Sequence, residues 1–573
     1  MPIPNHDVAA IFSKVADLLE IKGENPFRVR AYREAARTVS GLSQSVADLL
    51  KEGRDLTELP GIGKDLAGKI EEIVTTGRLT LLEDLTQQIP GELTELMKVA
   101  GLGAKRVARM YQELNIRSLD DLRQAAEQGR LAELEGFGDK TQTKILEEVK
   151  RLRRDQTHRT LLAIAAQYAQ PLMDHLGKAK GVKDLIIAGS YRRRRETVHD
   201  LDILATCKRG STVMDHFVKY DEVKQVVSHG KTRSTVLLRS GFQVDLRVVP
   251  QVSYGAALVY FTGSKPHNIA IRKRAVRKKL KINEYGVFRG NGRIAGRTEE
   301  EVYDTLGLPW IPPDLRENRG EVEAAEQGTL PTLVELGDIQ GDLHVHTNYT
   351  DGRHTIEQMA RAAQKRGYKY LAIADHSQRI TVAHGLMPKA LREQIEQIDR
   401  LNDRLKGFVV LKAIEVDILA DGRLDLPDEV LKELDLRVCS IHSKFNLSRT
   451  EQTERVLRAM DNPYFNILAH PTGRLIGERD AYDLDMERIM EHAAANGCYL
   501  ELNAHPERLD LDDNHCRMAK NKGLKVVVST DAHRMDDLAY MVYGVGQARR
   551  GWLEADDVLN SRNLKDLRTL LRR

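Results

Sequence analysis

Up to about residue 150 the apolar positions recur every three or four residues. Val8, Ile11, Phe12, Val15, Leu18 and Leu19 fall on one face behind the capping candidates Asn5 and Asp7, which predicts an amphipathic helix at the start of a helical region. From about 155 to 320 the period shortens. DLIIA (184–188), LDILA (201–205) and FQVDLRVV (242–249) predict strands set between helices. Residues 311–337 carry prolines and acids with no sustained apolar period, and the later part, 319–337, is predicted as a linker. From Asp338 onward the segments YLAIAD, FVVLKAIEV, RVCSIHS, FNILAHP, YLELNA and KVVVSTDAH alternate with helical stretches, the rhythm of parallel strands in a β/α barrel.

A chain of 573 residues is too long for one hydrophobic core, since single cores stop growing near ~250–300 residues. The net charge of +4 says little, but basic residues cluster at Arg192–Arg195 and between Arg272 and Lys281, as suits a phosphate-rich ligand. Taken singly, each cluster is equally a solvated surface. The four cysteines, Cys207, Cys439, Cys498 and Cys516, form no CxxC pair, which argues against a disulfide framework or a cysteine zinc site. No apolar run approaches the ~18 residues of a membrane span, and the start of the chain lacks the apolar core of a signal peptide. A cytoplasmic monomer is the expectation.

Within the helical region one pattern occurs three times: LPGIGKDLAGKI (59–70), VAGLGAKRVARM (99–110) and LEGFGDKTQTKI (134–145). Two glycines permit a tight turn and close backbone approach, and the helix that follows presents free N–H groups to an anion. This helix-hairpin-helix pattern grips a nucleic-acid phosphate without reading a base. Gly61, Gly63, Lys64, Gly101, Gly103 and Lys105 are the candidate DNA contacts. A single GxG would be an ordinary turn, and the third copy, poorer in basic residues near its turn, leaves packing alone open as its role.

The segment GSYRRRRETVHDLD (189–202) runs from a Gly-Ser turn through four arginines into Asp-Leu-Asp. Alternation along a strand points Asp200 and Asp202 the same way, and Asp245 interrupts an otherwise apolar strand. Three such carboxylates suit two Mg²⁺ (or Mn²⁺) ions bridging a triphosphate. The alternative is that Asp200 and Asp202 cap a turn and Asp245 is a paired surface residue.

GSYRR…DLD with the distant VDLRVV resembles the polymerase beta–like, or family X, DNA polymerases. NPFRVRAYREAARTV (25–39) and LPGIGKDLAGKI resemble that family's DNA-end-binding domain, YFTGSKPHNIAIR (260–272) its nucleotide-contacting motif, and INEYG (282–286) its thumb. The resemblance implies metal ligation by Asp200, Asp202 and Asp245, triphosphate contacts from Gly189, Ser190 and Arg193, a nucleotide lined by Tyr260, Phe261, Gly263 and Asn268, and Arg272 on the template side. Lys69 aligns with the lysine that in some relatives forms a Schiff base with a 5′-deoxyribose phosphate; a lysine behind a phosphate-binding turn is also an ordinary backbone contact. Arg194 and His199 stand where the polymerase beta pattern has glycines.

The C-terminal part begins GDLHVHTNYTDG (341–352). His344 and His346, two apart on a strand end, point one way, and neutral imidazoles so spaced ligate Zn²⁺, Mn²⁺ or Fe²⁺. Asp351, His376, Glu415, His442, His470, Asp531 and His533 end later strands. One histidine at a strand end is usually satisfied locally; nine such residues at successive ends are not. The string resembles the polymerase-and-histidinol-phosphatase (PHP) family, a distorted (β/α)7-type barrel, and implies that the nine hold up to three metals for phosphoester hydrolysis. Asp342 and Asp375 are expected to orient a ligating histidine, Arg474, Arg379 and Lys444 to hold substrate phosphate, and His505 is a further candidate for substrate contact.

The fusion resembles bacterial and archaeal family X polymerases with a C-terminal PHP domain. The implied architecture is multidomain, α+β and α/β: an end-binding domain (1–90), helix-hairpin-helix fingers (91–154), a nucleotidyltransferase palm with a mixed sheet (155–258), a thumb (259–318), the linker (319–337) and the PHP domain (338–573). The implied activity is filling of gapped or nicked DNA from dNTPs, with 3′→5′ exonuclease, abasic cleavage or 3′-phosphate removal at the second site. A phosphoesterase merely tethered to DNA by its N-terminal part, and a barrel that is a brace or a small-phosphate esterase, are the competing readings.

Overall fold

The computed structural model describes residues 5–42, 46–97, 99, 102–134, 137–138, 142–146 and 159–572. The chain divides into two compact units, 1–159 and 160–573.

The first unit is helical, as the period predicts. Helix Asn5–Lys22 places Val8, Phe12, Val15 and Leu19 in one core with Tyr32 of helix Pro26–Gly41 and Ile70 of helix Lys64–Thr76. Pro26 opens its helix where its missing N–H costs nothing, and the Asn25 side chain accepts from Phe27 N at 2.9 Å. A second core forms around Val107, Met110 and Leu122. Part of the third glycine pattern and the end of the expected fingers lie outside the described residues.

The second unit opens with a five-stranded sheet. From one edge to the other it runs Val182–Ile187, Asp200–Cys207, Gln243–Val248, Arg233–Leu238, Val223–His229. It is mixed, as expected: Asp200–Cys207 and Gln243–Val248 run parallel and the other neighbours antiparallel. Helices Tyr254–Thr262 and Lys265–Arg277, a small sheet and helix Glu299–Thr305 follow.

The segment expected to be a linker is folded. Helix Glu321–Gln327 buries Val322 and Ala325, and Glu321, fully buried, meets His267 Nδ1 at 2.6 Å and takes the N–H groups of Asn318 and Arg319. Val334 N then bonds Leu553 O at 2.9 Å. Two of the acids that made this stretch look solvated, Glu321 and Glu326, meet distant partners, His267 and Arg274, which a local period does not register.

The C-terminal strands are Gly341–Val345, Tyr370–Ile373, Val409–Lys412, Glu415–Asp417, Val438–Ser440, Ile467–Leu468, Tyr499–Asn503 and Val526–Ser529, all paired in parallel. Val409–Lys412 and Glu415–Asp417 are one path broken at Ala413 and Ile414. A bridge from His376 to Glu415 spans the break, and a bridge from Val345 to Ala532 joins last strand to first. The result is a seven-stranded barrel. Its strands are buried on both faces, as parallel strands under covering helices are. Capping boxes fix where two of those helices start, Thr355 with Gln358 and Ser448 with Glu451.

Candidate metal centres and nucleic-acid interface

In the first unit, helices Lys64–Thr76 and Ala104–Leu114 are capped by Gly63 and Gly103, which offer no side chain to their first turns. Their leading N–H groups are thus open to an anion. Gly61 needs its glycine: its φ is +77°, and a Cβ there would stand 3.0 Å from Glu34 Cγ. Lys64 and Lys105 are exposed beside these turns. Gly101 lies outside the described residues. Lys69 hydrogen-bonds Asp65 and lies near Tyr32; burial pushes its pKa down, but the Asp65 hydrogen bond and the charges of Tyr32 and Asp65 outweigh this and hold it raised. In this state Lys69 is a cation rather than a free amine.

In the palm, Asp202 and Asp245 stand at the same register on parallel neighbours, with Asp200 two residues before. Asp245 accepts from Thr235 Oγ1 at 2.5 Å, Gln243 Nε2 at 3.0 Å and Arg233 Nη2 at 3.2 Å. Asp202 is pushed up to about 7 by burial first and then by the charges of Asp200 and Asp245. Carboxylates that repel one another in this way are what divalent cations neutralise, so the set fits the expected metals. Gly189, at φ +63°, is tied to this site: a Cβ there would lie 2.6 Å from Asp202 Oδ2. Ser190 follows it in the single turn Gly189–Arg192.

Tyr260 and Phe261 end helix Tyr254–Thr262, and Gly263 caps it. Asn268 Nδ2 donates to Tyr260 O at 2.7 Å, and the Arg272 guanidinium lies over the Tyr260 ring at 5.2 Å. Arg193 donates to Thr262 O and reaches Glu317 at 3.1 Å. Arg194 adopts φ +53° and pairs with Asp314 at 3.3 Å, and His199 Nδ1 lies 3.6 Å from Asp200. The two positions that depart from the polymerase beta pattern are therefore accommodated rather than disruptive. Arg192 is structural: it clamps Glu299 with two bonds of 2.8 Å, and Arg316 and Trp310 complete the set.

In the barrel all nine strand-end residues converge. Glu415, 1% exposed, is their hub: His376 lies 2.7 Å, His470 3.1 Å, His442 3.3 Å and both His344 and His346 3.6 Å from its carboxylate. Asp531 lies 3.1 Å from His346, and Asp351 sits between His376 at 3.3 Å and His533 at 3.4 Å. Among the described residues three groups have ligand atoms close enough to share an ion: His346–Asp351–His376–His533, His344–His346–Asp531 and His376–Glu415–His442. The buried ring nitrogens His346 Nδ1 and His470 Nδ1, which make no hydrogen bond, sit in the same cluster. His346 and His376 each serve two groups, and ring nitrogen lone pairs left unpaired among carboxylates are what bound cations would satisfy. Burial works against charged rings here, yet Glu415 and Asp351 outweigh it and push His376 up to about 10; Glu415 does the same to His442, to about 9.

Asp342 and Asp375 do not orient histidine rings. Asp342 binds Thr530 and the His344 backbone N–H, and Asp375 binds Thr347, Thr350 and Gln394. Orientation falls instead to two acids that sequence reading missed: Glu501 takes His344 Nδ1 at 2.7 Å, and Asp417 lies 3.2 Å from His442 Nδ1. An acid within the apolar strand YLELNA was the available signal for Glu501. All three side-chain nitrogens of Arg474 are engaged, by Glu196 of the palm at 2.8 Å and by the carbonyls of Arg508 and Leu509, so it is not free for phosphate. Arg379 is exposed, with its backbone N–H on Asp425 at 2.9 Å, and Lys444 sits at φ +59°. The His505 ring packs edge-on against Tyr540, and its Nδ1 accepts from Glu507 N at 3.4 Å.

Fold and sites together define a nucleotidyltransferase built onto a metal-dependent phosphoesterase barrel, behind a helix-hairpin-helix region. Family profiles agree: DNA polymerase beta thumb over 257–317, helix-hairpin-helix domain over 3–79, SAM-like helix-hairpin-helix tandem over 53–115 and 92–151, and PHP domain over 342–505. The chain is 39% identical over 571 residues, 99% of both chains, to the DNA polymerase/3′-5′ exonuclease PolX of Bacillus subtilis. It is 26% identical over 353 residues to DNA polymerase lambda of Arabidopsis thaliana, 55% of this chain and 62% of that one. A protein described as a probable phosphatase, from Acetivibrio thermocellus, is 30% identical over 201 residues, 34% of this chain and 78% of that one. The chain belongs to the family X DNA polymerases that carry a PHP domain.

Proposed function

We propose that the protein fills short gaps in DNA from dNTPs at the Asp200–Asp202–Asp245 centre and trims 3′ ends at the barrel centre, as a repair enzyme working as a monomer in the cytoplasm. The observation that carries this is the presence, in one compact unit, of both the Asp202–Asp245 pair in register and the nine-residue cluster around Glu415.

At the first centre, Asp200, Asp202 and Asp245 would hold Mg²⁺ or Mn²⁺; at the second, the nine strand-end residues would hold up to three of Mn²⁺, Zn²⁺ or Fe²⁺. Bound there, such ions neutralise phosphate charge and lower the pKa of the attacking hydroxyl or water. The chain's own groups do the rest. Gly189 and Ser190 present the turn to the triphosphate, and Arg193 faces its charge. Tyr260, Phe261, Gly263 and Asn268 line the nucleotide, and Arg272 meets the template. Gly61, Gly63, Lys64, Gly103 and Lys105 grip the DNA backbone, which carries no sequence information. Gly101 and Lys69 belong to the same proposed surface, and with Lys69 held as a cation by Asp65, phosphate contact is favoured over Schiff-base chemistry.

A one-nucleotide-gapped duplex with a labelled 3′ end, incubated with Mg²⁺ or Mn²⁺, tests the proposal. Extension with dNTPs and shortening without them are expected. Shortening alone under every condition would mean a phosphoesterase tethered to DNA, and extension alone a polymerase whose barrel acts elsewhere or not on DNA.

A further inference from the structure

The nucleotide loop of the palm is clasped by the PHP barrel. Helix Met541–Arg550 ends in two arginines that leave the barrel. Arg549 forks onto Asp314 at 3.1 and 3.2 Å, the same carboxylate that pairs with Arg194. Arg550, its side chain 2% exposed, donates to Arg193 O at 2.9 Å and to Glu317 Oε1 at 3.0 Å, and bonds Asp513 of the barrel at 2.5 Å. Gly546, one turn back, lets the helix approach: a Cβ there would meet Arg194 Cδ at 3.1 Å. Arg474 holds Glu196 at the far end of the loop.

The charges decide what this clasp does. Arg193 and Arg550 meet on the same Glu317 oxygen, and Arg319 pairs with Asp513 at 3.1 Å. Three guanidiniums thus share two carboxylates, which leaves one positive charge over. Arg193 is the member of the set that reaches the nucleotide motif, donating to Thr262 O with Nη1 3.1 Å from where a Cβ on Gly263 would stand. Without Arg550, Glu317 would keep Arg193 as its hydrogen-bonded cation, with Arg195 acting only through its charge, and that surplus would shrink. We propose that Arg550 of the PHP barrel is a positioning residue of the polymerase site: by sharing Glu317 it keeps the Arg193 guanidinium available to the triphosphate of the incoming nucleotide. The inference rests on the reading above that Arg193 meets that triphosphate. It makes the barrel part of the polymerase's nucleotide-binding apparatus as well as a second enzyme.

Single-nucleotide incorporation into a gapped duplex, with 3′-end hydrolysis followed on the same preparation of full-length protein, tests it. Arg193→Ala sets the scale and is expected to raise the dNTP KM about tenfold or more; an unchanged KM would overturn the reading of Arg193 itself. Arg550→Met is expected to raise KM several-fold with kcat within about twofold and hydrolysis unchanged, and adding Glu317→Gln is expected to restore KM, because with both partners gone Arg193 again carries the surplus charge. If Arg193→Ala impairs nucleotide binding but Arg550→Met does not, or if the double variant stays as impaired as the single, the inference fails while the reading of Arg193 stands. Should Arg550→Met lose hydrolysis and fold together, Glu317→Gln alone decides: a lower KM supports the proposal, and an equal or higher KM overturns it.

Discussion

Glu501 accepts the Nδ1–H of His344 at 2.7 Å with one oxygen and the backbone N–H of His470 at 2.7 Å with the other. One fully buried carboxylate thereby sets the direction of one ligating ring and the backbone of a second. Partners of this kind hold a histidine's tautomer and typically govern metal affinity by about 10–100-fold. Glu501→Gln is expected to lower Mn²⁺ affinity in a metal titration by about that factor and to slow 3′-end hydrolysis with it, while gap filling is retained. Unchanged metal affinity would remove Glu501 from this role.

The two centres are expected to separate cleanly on loss of their own ligands. Asp202→Ala should abolish nucleotide incorporation and leave hydrolysis, and His344→Ala combined with His346→Ala should do the reverse. Circular dichroism on each variant establishes that it is folded. A folded variant that loses both activities would contradict the partition.

Gly189 combines φ +63° with only 2.6 Å between a would-be Cβ and Asp202 Oδ2. Gly189→Ala must both strain the backbone, by about 1–2 kcal/mol, and displace the central carboxylate. Incorporation should fall at least tenfold with hydrolysis unaffected; incorporation within twofold of the parent would show that the turn has slack.

The Arg192–Glu299–Arg316 cluster makes a pH prediction. Burial would raise Glu299, but Arg316 and Arg192 outweigh it and hold it at about 2, against 4.5 when exposed. A depressed carboxylate contributes stability that is fully present above its unfolded pKa and lost as pH falls toward the folded one. About 3 kcal/mol should therefore disappear between pH ~4.5 and ~2. Glu299→Gln leaves two buried guanidiniums without their counter-ion and should cost about 3–5 kcal/mol at pH 7. Thermal melts of parent and variant across this pH range check both: the gap between them should narrow as the pH drops.

Local chemistry was legible in the sequence wherever the motif and the geometry share one stretch of chain. The glycine turns ahead of helices Lys64–Thr76 and Ala104–Leu114 follow from spacing alone, and alternation put Asp200 and Asp202 on one face. The nine candidate ligands could be expected to meet because a barrel gathers its strand ends at one rim, whatever the details of its packing.

What only the tertiary structure decided lies between residues far apart in the chain. Arg474 looked like a phosphate ligand and is bound to Glu196, 278 positions away; Asp342 and Asp375 looked like histidine partners, yet Glu501 holds His344 from 157 positions away. The acidic stretch that reads as a linker folds because Glu321 finds His267, and Arg194 is tolerated because Asp314 and helix Met541–Arg550 receive it. The reason is physical: period and motif encode what a residue does with its near neighbours, whereas a buried charge takes its meaning from the partner that folding brings to it.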